Sequence, residues 1–170
     1  MGTGCGSSGI WLLRGMRSAG VLTSVDTEPE YQRLARKVFA QAGFATNQAR
    51  LILGRALDVL PRLSDGAYDL VFCDADPASY PDYLTEGLRL LRTGGVMVFN
   101  DVLPASFASG WPAGPPGSSG SSGSFDSFES FDGGQAASGA REFAEIVRAD
   151  ERLVPLLLPI AGGLLTAVKR

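Results

Sequence analysis

The sequence predicts a doubly wound α/β sheet, mostly parallel, that closes with a C-terminal antiparallel hairpin. Three observations carry this. Short runs such as Val96-Met97-Val98-Phe99 are apolar on both faces, as strands are when helices cover both sides of a parallel sheet. These runs alternate with segments whose apolar residues recur at helical spacing, the strand–helix rhythm of a wound sheet. At the end, the apolar runs 153–159 and 164–168 flank Ala161-Gly162-Gly163, which reads as a β-hairpin.

In order, Gly2-Thr3-Gly4-Cys5-Gly6-Ser7-Ser8-Gly9 stands before a helix starting near Ile10, and Val21-Leu22-Thr23-Ser24-Val25 is the first complete strand. Tyr31, Leu34, Ala35, Val38, Phe39 and Ala42 then line one helical face, with Pro29 near its start and Gly43 after its end. Arg50-Leu51-Ile52-Leu53 is a strand, followed by a short helix through Leu57, Leu60 and Leu63. Tyr68-Asp69-Leu70-Val71-Phe72-Cys73 is the next strand and ends at Asp74. The helix behind it places Tyr80, Tyr83, Leu84, Gly87, Leu88 and Leu91 on one face, and Gly94-Gly95 turns the chain into the strand 96–99. A helix over residues 141–148, with Phe143, Ile146 and Val147 as its apolar stripe, precedes the hairpin.

The 170 residues read as a single domain, with its core in residues 1–104 and 140–170 and a flexible Gly/Ser/Pro-rich insertion at 105–139. In that tract Phe125, Phe128 and Phe131 are spaced among Asp126, Glu129 and Asp132. A mobile loop is the first reading, and a lid over a substrate pocket the alternative. A net charge of -3 argues against a nucleic-acid-binding surface, which would be basic. No apolar run approaches the ~18–20 residues that cross a bilayer, and no signal peptide is visible, so a cytoplasmic location with no membrane partner is expected. Cys5 and Cys73 have neither the number nor the spacing of a disulfide framework or zinc site. The absence of histidine removes the commonest general base and every Ser-His-Asp or Cys-His mechanism.

Two constellations carry chemistry. Glycines let the backbone of the first loop pass close to a ligand, and the following helix offers unpaired N–H groups to anionic atoms. Asp26, about twenty residues on at the end of a strand, suits both hydroxyls of a ribose. A helix N-cap is the structural alternative for Asp26. The glycines Gly2, Gly4 and Gly6, followed by Gly9, begin with G-x-G-x-G, a spacing more typical of S-adenosylmethionine sites. Asp74 and Asp76 stand at the carboxyl end of a strand, where ligands of open α/β sheets lie. Two carboxylates there call for a cation or donors to neutralise them: a sulfonium, an amino group or a metal ion. Ordinary loop aspartates are the structural alternative.

With these residues the chain resembles the O-methyltransferases that include catechol and caffeoyl-coenzyme A methyltransferases, most of all small actinobacterial members. The resemblance rests on Gly2 to Gly9, Asp26, Gly54-Arg55-Ala56-Leu57-Asp58-Val59-Leu60-Pro61, Asp74-Ala75-Asp76 and Leu90-Leu91-Arg92-Thr93-Gly94-Gly95. Leu156-Leu157-Leu158-Pro159 and Gly162-Gly163-Leu164-Leu165 also match. It implies a Rossmann-like fold and S-adenosylmethionine as cofactor. Gly2 and Thr3 would line its methionine end, Gly4 would also contact it, and Ser8 would bond its carboxylate. Asp26, with Thr27 nearby, would hold the ribose, Ala56 would lie against the adenine, and Asp76 would meet the amino group. Asp74 would point at a small hydroxylated acceptor, by resemblance aromatic, or at a divalent metal. The implied reaction is methyl transfer to a hydroxyl oxygen.

Three departures qualify the resemblance. Metal-using members carry Asp-Asn after the later strand, whereas this chain has Asn100-Asp101. Asp74, Asn100 and Asp101 could bind magnesium through oxygen atoms, and no metal at all is the alternative. A lysine common in those members is replaced by Pro77, which leaves Asp74 and Asp101 as the candidate bases. Finally, the family has a buried strand immediately before Gly2, between the strands ending at Asp26 and Asp74, and earlier helices that build the substrate pocket and a homodimer contact. A start at Met1 leaves these out, so a truncated chain is expected to be unstable. The second functional reading is therefore a non-catalytic or truncated methyltransferase-fold module. A nicotinamide-dependent oxidoreductase, resting on the glycine loop alone, is the third.

Overall fold

A computed structural model describes residues 1–103, 135–160 and 162–170. The insertion read at 105–139 lies outside them up to residue 134. The chain separates into two compact units, Met1–Leu63 and Ser64–Arg170. Among the described residues no helix is long and apolar enough to cross a membrane.

The first unit contains α1 (Ser7–Gly15), β1 (Leu22–Asp26), α2 (Pro29–Gln41), β2 (Ala49–Leu53) and the short α3 (Ala56–Val59). β1 and β2 are parallel and in register from Leu22 opposite Ala49 to Asp26 opposite Leu53. Leu13, Ala35 and Phe39 form the core, with Ile10, Met16, Leu22, Phe44, Ala49 and Leu51 packed around them. α1 starts at Ser7 rather than near Ile10, because Gly6 is already the cap residue, at φ 90°. A side chain at Gly9 would place its Cβ 2.5 Å from the Phe39 ring, so glycine is what lets α1 lie against α2.

The buried face of α2 differs from the one predicted. Gln32, Ala35 and Phe39 are buried, while Tyr31 and Leu34 are exposed. The reason is the Gln32 side chain: its Nε2 donates to the Ile52 carbonyl at 3.0 Å and to Thr3 Oγ1 at 3.2 Å. A long polar group with two partners inside turns the helix about its axis relative to the purely apolar pattern.

The second unit contains β3 (Tyr68–Cys73), α4 (Tyr80–Leu90), β4 (Leu91–Asn100), α5 (Gln135–Ala149), β5 (Leu153–Leu158) and β6 (Leu164–Lys169). Its sheet has the order β3-β4-β6-β5. β3 and β4 are parallel, whereas β6 is antiparallel to both β4 and β5, the hairpin read from the sequence. β4 begins at Leu91, and Gly94-Gly95 lies within it beside a register irregularity opposite β3. One sheet face, including Val71, Cys73, Met97, Phe99, Leu165 and Ala167, is buried. Gly87 of α4 lies against Met97 and Val71, and Phe143 of α5 packs edge-on to Phe99 with centroids 4.7 Å apart. Each fully buried side chain of this kind contributes about 1.5–3 kcal/mol.

The predicted face of α4 is buried as expected, whereas α5 differs in two respects. It starts at Gln135 instead of residue 141, since Gln135-Ala136-Ala137 has strong helix propensity despite the neighbouring glycines and serines. Its buried stripe is Phe143, Ala144 and Val147, with Ile146 exposed. Lys169 of β6 donates through Nζ to the carbonyls of Leu88 and Leu91, both at 2.7 Å, and so caps the end of α4. β1 and β3 each end their sheet.

Candidate cofactor and acceptor residues

In the first unit the glycine loop is fastened to the end of β1. Gly2 donates its N–H to the Val25 carbonyl at 3.0 Å, and Gly4 donates to Asp26 Oδ2 at 2.9 Å. The other carboxylate oxygen of Asp26 accepts the N–H of Glu28 at 2.9 Å. Asp26 is therefore not the cap of α2. Glu28 is, accepting from the Glu30 N–H, because two residues separate Asp26 from the first turn. Each oxygen of Asp26 keeps lone-pair capacity for a further donor, which is what a ribose diol needs. Gly2, Gly4 and Gly6 all have positive φ, at 80°, 50° and 90°, a sequence of turns that favours glycine.

Thr3 is only 4% exposed, and its hydroxyl meets Ser24 Oγ at 2.8 Å as well as Gln32 Nε2. Its side chain thus anchors the loop. The Gln32 and Ser24 partners were not read from the sequence. The available signal was the spacing of Gln32 with Ala35 and Phe39 at i, i+3 and i+7, which puts the amide on the inward stripe. Ser8 is in the first turn of α1, ahead of the first intrahelical bond from Ile10 N–H to the Gly6 carbonyl. The N–H groups of that turn suit a carboxylate. Thr27 follows Asp26 on the surface, and Ala56 opens α3 just after Gly54, whose N–H donates to the Asp26 carbonyl at 2.9 Å.

In the second unit Asp74 is exposed at the end of β3, and its Oδ1 accepts from Asn100 Nδ2 at 2.9 Å. Asp76 caps the turn Pro77–Ser79, accepting from the Ala78 N–H at 3.1 Å and from the Ser79 hydroxyl at 3.3 Å. Tyr80 donates its hydroxyl to the Asn100 carbonyl at 2.5 Å while its ring packs on Phe99 and Phe143. Burial, followed by the nearby Cys73, Asp74 and Asp101, raises the Tyr80 phenol well above its ordinary range, so it remains a donor. Burial likewise pushes the Cys73 thiol up to about 12. Asp101 is the one non-glycine residue with positive φ among the described residues, at 56°. Such conformations concentrate at functional sites. The sequence had placed Tyr80 in the core only, and its hydroxyl contact emerges with the fold. Among the described residues no group of three histidine, cysteine, aspartate or glutamate side chains is arranged to hold a metal.

Strand ends that carry a glycine loop with a carboxylate across from it, and a second pair of carboxylates after a later strand, define a Rossmann-like protein of the nucleoside-cofactor type. A family model described as O-methyltransferase matches residues 1–116. A probable O-methyltransferase of Mycobacterium tuberculosis is 48% identical over 169 residues, which is 99% of this chain and 67% of that protein. A relative from Mycobacterium avium is 47% identical over the same length. The chain belongs to the O-methyltransferase family, and it spans about two thirds of the length of these curated relatives. Among solved structures, the O-methyltransferase TomG of Streptomyces achromogenes, in complex with SAM, superposes with a TM-score of 0.72 at 26% identity, covering 98% of this chain and 70% of TomG. A Bacillus cereus O-methyltransferase in complex with SAH shares the fold, with a TM-score of 0.75 at 24% identity over 99% of this chain and 71% of that one.

Proposed function

We propose that the chain binds S-adenosylmethionine and transfers its methyl group to a hydroxyl oxygen of a small, aromatic acceptor. The observation that carries this reading is Asp26, which holds the glycine loop through Gly4 N–H and keeps capacity on both oxygens for a ribose. Membership of the O-methyltransferase family and the SAM carried by TomG support the choice of cofactor.

When bound, the cofactor supplies a methyl group activated by a positively charged sulfur. Gly2, Thr3 and Gly4 line its methionine end through backbone, Ser8 and the first turn of α1 take the carboxylate, and Ala56 meets the adenine. Asp76 takes the amino group with the face left free by its turn contacts. Asp74 or Asp101 would take the proton that the acceptor hydroxyl gives up as its oxygen accepts the methyl group. Alignment of oxygen and methyl carbon is the protein's main contribution.

A hard divalent cation would draw on two carboxylates and an amide oxygen, but the Asn100 amide presents its N–H, not its oxygen, to Asp74. Asp74, Asn100 and Asp101 would hold it, and it would acidify the acceptor hydroxyl. Methyl transfer is tested by incubating the chain with methyl-labelled S-adenosylmethionine and a panel of catechols, with and without magnesium. Labelled methyl ether is the expected product. Cofactor binding without any labelled product would favour the second reading, a non-catalytic module, for which the contact of Asp74 with Asn100 is merely structural.

A further inference from the structure

We infer that Gly162 is a positioning residue: its missing side chain makes the space that the Asp101 carboxylate occupies, and so aims that carboxylate. This rests on the reading of Asp101 as a candidate base. A Cβ built at Gly162 would fall 1.5 Å from Asp101 Oδ1, 2.7 Å from its Cγ and 3.3 Å from its Cα. The carboxyl group thus lies where an alanine methyl would be. The neighbouring backbone locks the arrangement, because Leu103 N–H donates to the Gly162 carbonyl at 2.8 Å and Val102 N–H to the Gly163 carbonyl at 3.3 Å. The turn between β5 and β6 is therefore pinned to the chain just after β4, with Asp101 at the corner. On the other side of that corner, the Tyr80 hydroxyl holds the Asn100 carbonyl. Asp101 keeps φ at 56° between these two restraints.

The two glycines of the turn have different jobs. Gly163 has φ +83°, and a Cβ there would meet the Leu103 side chain at 2.4 Å, so its requirement is structural. At Gly162 the closest atoms are the carboxyl end of an aspartate, which can rotate, while the Asp101 Cα at 3.3 Å asks only a shift of a few tenths of an ångström. Gly162→Ala therefore redirects Asp101 at small structural cost, whereas Gly163→Ala strains the turn.

The test uses the full chain labelled with carboxyl-13C aspartate, in the parent, Gly162→Ala, Asp101→Ala and the double variant. Asp101→Ala assigns the Asp101 resonance. Gly162→Ala is expected to move that resonance, to leave the affinity for S-adenosylhomocysteine intact, and to lower kcat about a hundredfold, the scale of a misplacement near 1 Å. In the Asp101→Ala background the same substitution should cost nothing further, since the obstructed atoms are gone. An unmoved Asp101 resonance in Gly162→Ala, or a kcat loss of equal size in the Asp101→Ala background, would overturn the inference. Should Gly162→Ala fold poorly, the double variant decides: recovery on removing the aspartate supports the inference, and no recovery contradicts it. Failure of the parent to transfer methyl would count against the proposed function alone, leaving the resonance to judge the role of Gly162.

Discussion

Cys73 ties the stability of the second unit to pH. The thiol is fully buried, and burial raises it from 9.0 to about 12 by penalising the thiolate. Between those values the unfolded chain has released the proton and the folded chain has kept it. Stability from this group is therefore complete below about pH 9 and is lost as pH rises toward 12, at no more than about 1.4 kcal/mol per pH unit. Denaturant melts of the parent and Cys73→Ala across this range should show a shallower alkaline decline in the variant. Parallel declines would mean that the thiol is not the titrating group. At Gln32 two opposing terms can be weighed. Its two donated bonds stabilise the loop, but its Oε1 is buried without a hydrogen-bond partner. Gln32→Leu is predicted to lower unfolding free energy by about 1–3 kcal/mol, because Thr3 and the Ile52 carbonyl lose their donor. A stabilised variant in urea melts would show that the orphaned oxygen had outweighed both bonds.

Among the elements, α4 is the best determined, since it is held from both ends. Tyr80 fastens its start to Asn100, and Lys169 caps its last carbonyls from a strand eighty residues away. Lys169→Met should cost about 1.5–3 kcal/mol, the range for hydrogen bonds to a charged group, and should raise amide exchange in the last turn of α4. Unchanged exchange there would remove the cap from the account. The face of α4 was legible in the sequence because every inward position is apolar or glycine. That of α2 was not: periodicity counts apolar residues, and it gave Tyr31 and Leu34 the place that Gln32 takes by bonding inward. The same reason limits the reading of the site. Strand ends, the glycine loop and the acids at 26, 74 and 76 follow from local pattern, while Asp101 is singled out only through the family resemblance. Contacts made across elements, such as Ser24 with Thr3 or Gly162 beneath Asp101, depend on which chain segments meet, and no local period records that.

At the scale of the whole molecule, the two units carry different parts of one proposed chemistry. Met1–Leu63 contains the glycine loop, Asp26 and Ala56, residues suited to a nucleoside and its amino-acid tail. Ser64–Arg170 contains Asp74, Asp76, Asn100 and Asp101, the groups assigned to the amino end, the acceptor and its proton. Family membership fixes the kind of protein, while the roles of these residues are proposals drawn from the family resemblance. Asp76→Asn should accordingly weaken S-adenosylhomocysteine more than adenosine, because only the former has an amino group to lose, and equal losses in paired titrations would contradict that placement. The most direct test of the account is calorimetric titration of the chain and of Asp26→Ala with S-adenosylhomocysteine, with NAD as the competing cofactor. The account predicts binding of S-adenosylhomocysteine, none of NAD, and a roughly ten- to hundredfold loss of affinity in a folded Asp26→Ala variant. Equal affinity in the two proteins, or preference for NAD, would contradict it.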